Sequence, residues 1–118
     1  MADANPFLAH ANSSQPRRRI DFAEVRSAAL HQAHAICHRV LPGGRVRGRE
    51  YVVRNPKRAD TRPGSFKVNL RTGQWADFAT GDKGGDLIAL VAWLFNVSQL
   101  EAARRLASLL SISHEAAP

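Results

Sequence analysis

The chain has 118 residues, a single cysteine and a formal charge of +7, with a sequence pI near 11. That length supports one domain with its own core, and the lone Cys37 excludes an internal disulfide framework and a multi-cysteine zinc site and points to a reducing compartment. No run approaches the ~20 apolar residues of a membrane span; the longest is Leu87–Phe95.

Residues 1–19 are small and polar, with two prolines and the run Arg17-Arg18-Arg19, and read as a disordered arm. They lack the basic region and apolar stretch of a secretory signal. Asp3 and the missing amphipathic period argue against a transit peptide, so the expected location is the cytoplasm.

A helix is expected from Phe22 to Leu41. Asp21 followed by Glu24 makes a capping box, and Pro42-Gly43-Gly44 stops it. At 100° per residue Phe22, Val25, Ala29, Ala33, Ile36 and Val40 share one face. His31, His34 and His38 fall opposite, with Cys37 beside them. His34, Cys37 and His38 are spaced as metal ligands could be, but no further ligand accompanies them, and solvated histidines explain the pattern as well.

Strands follow. Arg45–Arg49 and Tyr51–Arg54 alternate around Gly48, as a hairpin or bulged pair does. Residues 55–64 are a basic loop with Pro56 and Pro63. Ser65–Leu70 sets Phe66, Val68 and Leu70 against Ser65, Lys67 and Asn69. Arg71-Thr72-Gly73 turns the chain into Gln74–Phe78, where Trp75 and Phe78 have opposite parity. The expected fold is α+β: a small antiparallel meander of three to four strands with an N-terminal helix and two C-terminal helices.

Residues 80–85 form a glycine-rich corner, and Asp86 caps an apolar helix, Leu87–Phe95. Free N–H groups at such a helix start can hold phosphate, with Lys83 beside them. The corner does not match GxxxxGK[ST], and its glycines equally serve a turn. Ser98 and Glu101 open a last helix to about Leu110, with Leu100, Ala103, Leu106, Ala107 and Leu110 as its buried stripe and Arg104 and Arg105 off it. The domain is expected over residues 20–112, with a disordered tail at 113–118.

Charge placement carries the functional reading. Between Gly43 and Lys83 ten cations face four anions, so this segment holds +6 of the +7. A basic block on strands is the footprint of a polyanion partner. Tyr51, Phe66, Trp75 and Phe78 interleave with the cations, as base-stacking residues do in single-strand binders. Phe66 reads as core; Trp75 fits core or stacking. The carboxylates Asp77, Asp82 and Asp86 form no two-metal cluster, and no nucleophile–base pair is evident. The expectation is a protein that is not an enzyme and holds no cofactor.

Residues 55–94, NPKRADTRPGSFKVNLRTGQWADFATGDKGGDLIALVAWL, resemble the zinc-finger domain of bacterial-type DNA primases. Thr61, Pro63, Ser65 and Phe66 match that family's TPSF segment with an insertion of about one residue. Trp75 takes its aromatic position, Gly85-Asp86 its Gly-Asp, and Glu101-Ala102 its last-helix signature. The resemblance extends to about Leu110. The four metal-ligand positions carry Asn55, Arg58, Asp77 and Thr80, so it implies a zinc-less variant, as at the front of primase-helicases of phages, plasmids and mobile elements. An Arg58–Asp77 ion pair is the hypothesised substitute for the metal.

The resemblance implies a role in engaging single-stranded DNA during replication or primer synthesis, alongside a catalytic domain these residues do not contain. The expected nucleic-acid-binding residues are Arg45, Arg47, Arg54, Lys57, Arg58, Arg62, Lys67, Arg71 and Lys83, with Trp75 stacking. The competing expectation is a protein-interaction adaptor that docks on a primase or helicase chain.

Overall fold

In a computed structural model the structure describes residues 19–57 and 65–111. They form four helices and one antiparallel sheet of five strands. The helices are α1 (Phe22–His31), α2 (Ala33–Val40), α3 (Leu87–Phe95) and α4 (Gln99–Leu109); the strands are β1 (Arg45–Arg47), β2 (Glu50–Val53), β3 (Phe66–Asn69), β4 (Trp75–Asp77) and β5 (Lys83–Gly84). The α+β expectation holds, with one strand more than the meander foresaw: two residues of the glycine corner pair with β4.

The caps form as their sequences dictate. Asp21 accepts the Glu24 N–H, Asp86 the Ala89 N–H and Ser98 the Glu101 N–H, each satisfying a donor that has no partner within its helix. The expected single helix over residues 22–41 is instead broken at Gln32, whose N–H turns back to the Ala29 and Leu30 carbonyls. The break re-aims the second half. In α2 both Ile36 and Cys37 are buried, together with Ala33 and Val40, so Cys37 belongs to the core and is turned away from the exposed His34 and His38. Burial pushes its thiol up to about 12, because a thiolate there would lack solvation.

The strands run in chain order across the sheet. One face, Tyr51, Val53, Phe66, Val68 and Trp75, packs with the helical residues in a single cluster that includes Val25, Ile36, Leu87, Ile88, Leu90 and Leu106. Each such buried aliphatic or aromatic side chain contributes about 1.5–3 kcal/mol. Phe66 stacks with both Trp75 and the partly buried Trp93, and the three ring centroids lie 5.2–5.9 Å apart. Arg105 is a correction: α4 buries it to 7% exposure, with its Nε donating to Glu101 at 3.0 Å. Leu100, expected in the stripe, is exposed.

Two glycines are fixed by close approach. A Cβ on Gly44 would lie 2.6 Å from the Tyr51 ring. Tyr51 cannot retreat, because its hydroxyl donates to the Leu41 carbonyl (2.6 Å) and accepts the Gly44 N–H (3.1 Å). A Cβ on Gly84 would lie 2.4 Å from the Trp75 indole, itself pinned by the ring stack and by donation from its Nε1 to the Asp86 carbonyl at 3.0 Å. Overpacking of this kind costs about 1–3 kcal/mol. Gly84→Ala is therefore expected to lower the thermal midpoint by about 10 °C, since 1 kcal/mol shifts a domain of this size by about 4–8 °C; an unchanged melting curve would contradict the packing described.

Candidate nucleic-acid interface

Among the described residues no helix packs on the second face of the sheet, and the strand register decides what it displays. Arg45 pairs with Val52, Val52 with Lys67, Lys67 with Ala76, and Ala76 with Lys83. Cross-strand partners share a face, so Arg45, Lys67 and Lys83 stand in one row across all five strands. At ~4.8 Å per strand the row spans about 19 Å. Val52, in the same row, is buried yet lies outside the core cluster, as expected of an apolar residue flanked by the stems of Arg45 and Lys67.

Neighbouring rows extend the pattern. Arg47, Glu50 and Asn69 are in register two residues along. On the other side, Arg54 continues the parity of Val52, and Phe78, whose N–H donates to the Ser65 carbonyl, continues that of Ala76. Phe78 is 70% exposed, the most exposed large hydrophobic residue among those described. The Lys67 ammonium stands 5.7 Å from its ring centroid and 3.8 Å from the Glu50 carboxylate; an exposed pair of the latter kind is worth about 0–1 kcal/mol. A cleft of about 330 Å³ lies between these side chains.

The residues expected from the sequence to bind nucleic acid thus divide. Arg45, Arg47, Arg54, Lys67 and Lys83 come together on the open face, and Arg71 is exposed on the β3–β4 turn. Lys57 does not join them: its ammonium donates to Asn96 at 3.2 Å and sits 4.6 Å over the Trp93 ring, on the helical side. Arg58 and Arg62 lie outside the described residues. Trp75 is corrected. It is 4% exposed and stacked in the core, because its parity is that of Val68 and not of Ala76. The aromatic ring offered to solvent on this face is Phe78, whose opposite parity was the signal in the sequence.

Where the resemblance to primase zinc domains sets metal ligands, the structure has a buried polar cross-link. Asn55, 2% exposed, donates through Nδ2 to Oδ2 of Asp77, which is fully buried. Each side chain also accepts from the chain two residues ahead, Asn55 Oδ1 from the Lys57 N–H at 2.7 Å and Asp77 Oδ1 from the Ala79 N–H at 2.8 Å. These are Asx turns, and the Asn55–Asp77 hydrogen bond between them ties the end of β2 to the end of β4. An amide, one carboxylate already engaged by N–H donors, and a hydroxyl do not fit zinc, which takes thiolate and imidazole in structural sites. Asp77 is thus bonded to Asn55 and the Ala79 N–H; the hypothesised partner Arg58 is outside the described residues.

The glycine corner also resolves into structure. Asp86 occupies the start of α3 with its own carboxylate, and Arg26 of α1 approaches that carboxylate at 3.5 Å. Thr80 donates to Asp82 at 2.8 Å within the turn. The α3 N-terminus therefore already holds an anion, and Lys83 reaches the open face from β5. Asp77, Asp82 and Asp86 each have a structural task, and none shares a site with another. Among the described residues no three or more His, Cys, Asp or Glu are grouped to hold a metal, and no helix is long and apolar enough to cross a membrane.

No protein-family model matches the chain, and no curated protein is significantly similar to it.

Proposed function

We propose that the chain is a non-catalytic module that binds single-stranded DNA through the open face of its sheet, as a metal-free counterpart of the primase zinc domain acting in replication or primer synthesis. The observation that supports this most directly is the register that sets Arg45, Lys67 and Lys83 in one row, with Arg47 and Arg54 in the rows beside it. Among the described residues five cations stand in these rows with the carboxylate of Glu50, a surface suited to a phosphate backbone.

Each neutralised phosphate of a single strand contributes about −0.7 to the slope of log K against log salt. Five contacts give a slope of about −3 to −4. Fluorescence anisotropy of an end-labelled oligonucleotide between 20 and 200 mM salt, on the order of the range over which such slopes are read, measures it directly. The buried Trp75 makes intrinsic fluorescence the poorer probe. No binding at the lowest salt, together with co-purification of a primase or helicase, would overturn the reading in favour of a protein adaptor.

A further inference from the structure

The cleft on the open face has a shape that phosphate binding alone does not require. It is bounded by Phe78 at one end and by Glu50, Asn69 and Gln74 at the other, with Lys67 and Lys83 as its sides. Ala76 lies between the two lysines in the cross-strand row, so the position that would fill the cleft holds only a methyl group. Rows two residues apart on a strand are separated by about 6.7 Å, which leaves room for one aromatic ring beside Phe78. Phe78 is 70% exposed, with the Lys67 ammonium 5.7 Å from its ring centroid, and the cations around it favour a ligand carrying phosphate.

We infer that this cleft is a slot for one unpaired nucleobase, stacked on Phe78 above Ala76, with its phosphates held by Lys67 and Lys83. The inference rests on the DNA-binding reading and sharpens it, because it makes the face selective for single strands: in a duplex the base faces are buried in the stack and cannot reach Phe78. Stacking accepts any base, since every base has a π-face, while the carboxylate of Glu50 and the amide of Gln74 at the far end are the groups placed to meet its polar edge.

The test compares a labelled thymidine 15-mer with the same backbone carrying abasic sites throughout, by anisotropy at low salt, for the full chain and three variants. The native chain is expected to bind the base-bearing strand at least about fivefold more tightly, the lower end of a single aromatic–base stack. Phe78→Ala removes that preference, Phe78→Trp restores it, and Ala76→Leu removes it by filling the slot without changing charge. Circular dichroism confirms that these surface variants stay folded. Equal binding of both strands by the native chain, or a preference that survives Phe78→Ala, overturns the slot and leaves the electrostatic reading standing. Failure to bind either strand overturns both.

Discussion

Asp77→Ala is expected to cost the domain about 3–5 kcal/mol, since it removes two hydrogen bonds to a carboxylate at about 1.5–3 kcal/mol each. The side chain is fully buried and accepts from Asn55 and from the Ala79 N–H. Its removal takes the shared acceptor from the Asn55 amide and the Ala79 N–H, at up to about 1–3 kcal/mol for each donor left unpaired, and it frees the ends of β2 and β4 from one another. Urea denaturation read by circular dichroism measures the loss directly. Asn55→Ala is expected to cost less, about 1–3 kcal/mol, because Asp77 keeps its bond to Ala79. A double variant less destabilised than the sum of the two singles would show that the pair acts as one unit. Additive losses, or a silent Asp77→Ala, would show that the cross-link does not hold the strand ends.

The second large effect concerns affinity. Replacing Arg45, Lys67 and Lys83 together by Ala is expected to weaken single-stranded DNA binding about 100-fold at about 0.1 M salt, and to flatten the salt slope by about 2, since three contacts at ~0.7 each are removed. Lys57→Ala serves as the control: it is equally cationic, but its ammonium lies against Asn96 and Trp93 on the helical side, so binding should hardly change. If Lys57→Ala matched one third of the triple variant's loss, net charge alone would explain the affinity, and the cross-strand row would have no special place in it.

Local chemistry made much of this fold legible. Caps at Asp21, Asp86 and Ser98 are decided within three residues, and all three formed. Leu87–Phe95 is bounded by a cap and an apolar run, and the helix has those bounds. What the sequence did not convey depends on partners distant along the chain. Trp75 and Phe78 both looked available for stacking, and only the pairing of Trp75 with Val68 and Gly84 puts it under the helices. The break at Gln32 has no proline or glycine to announce it, and beyond it α2 buries Cys37 along with Ile36. Arg105 likewise follows a helical period that predicts exposure, yet its stem is buried beside Glu101. Lys57 lies in a basic stretch, and its direction was set by Asn96, 39 residues away.

The two outermost strands have a further consequence. β1 is three residues long and β5 two, and both leave one row of backbone groups unpaired. Such edges invite other chains to add a strand, and short length with charged side chains is the common protection. Arg45 and Arg47 flank the exposed Val46 on one edge, and Lys83 stands on the other. Three cations of the proposed interface, Arg45, Arg47 and Lys83, therefore also guard the edges at which copies of this domain could join. Neutralising them trades affinity against colloidal behaviour, so the triple variant should be handled dilute and its light scattering followed with its binding.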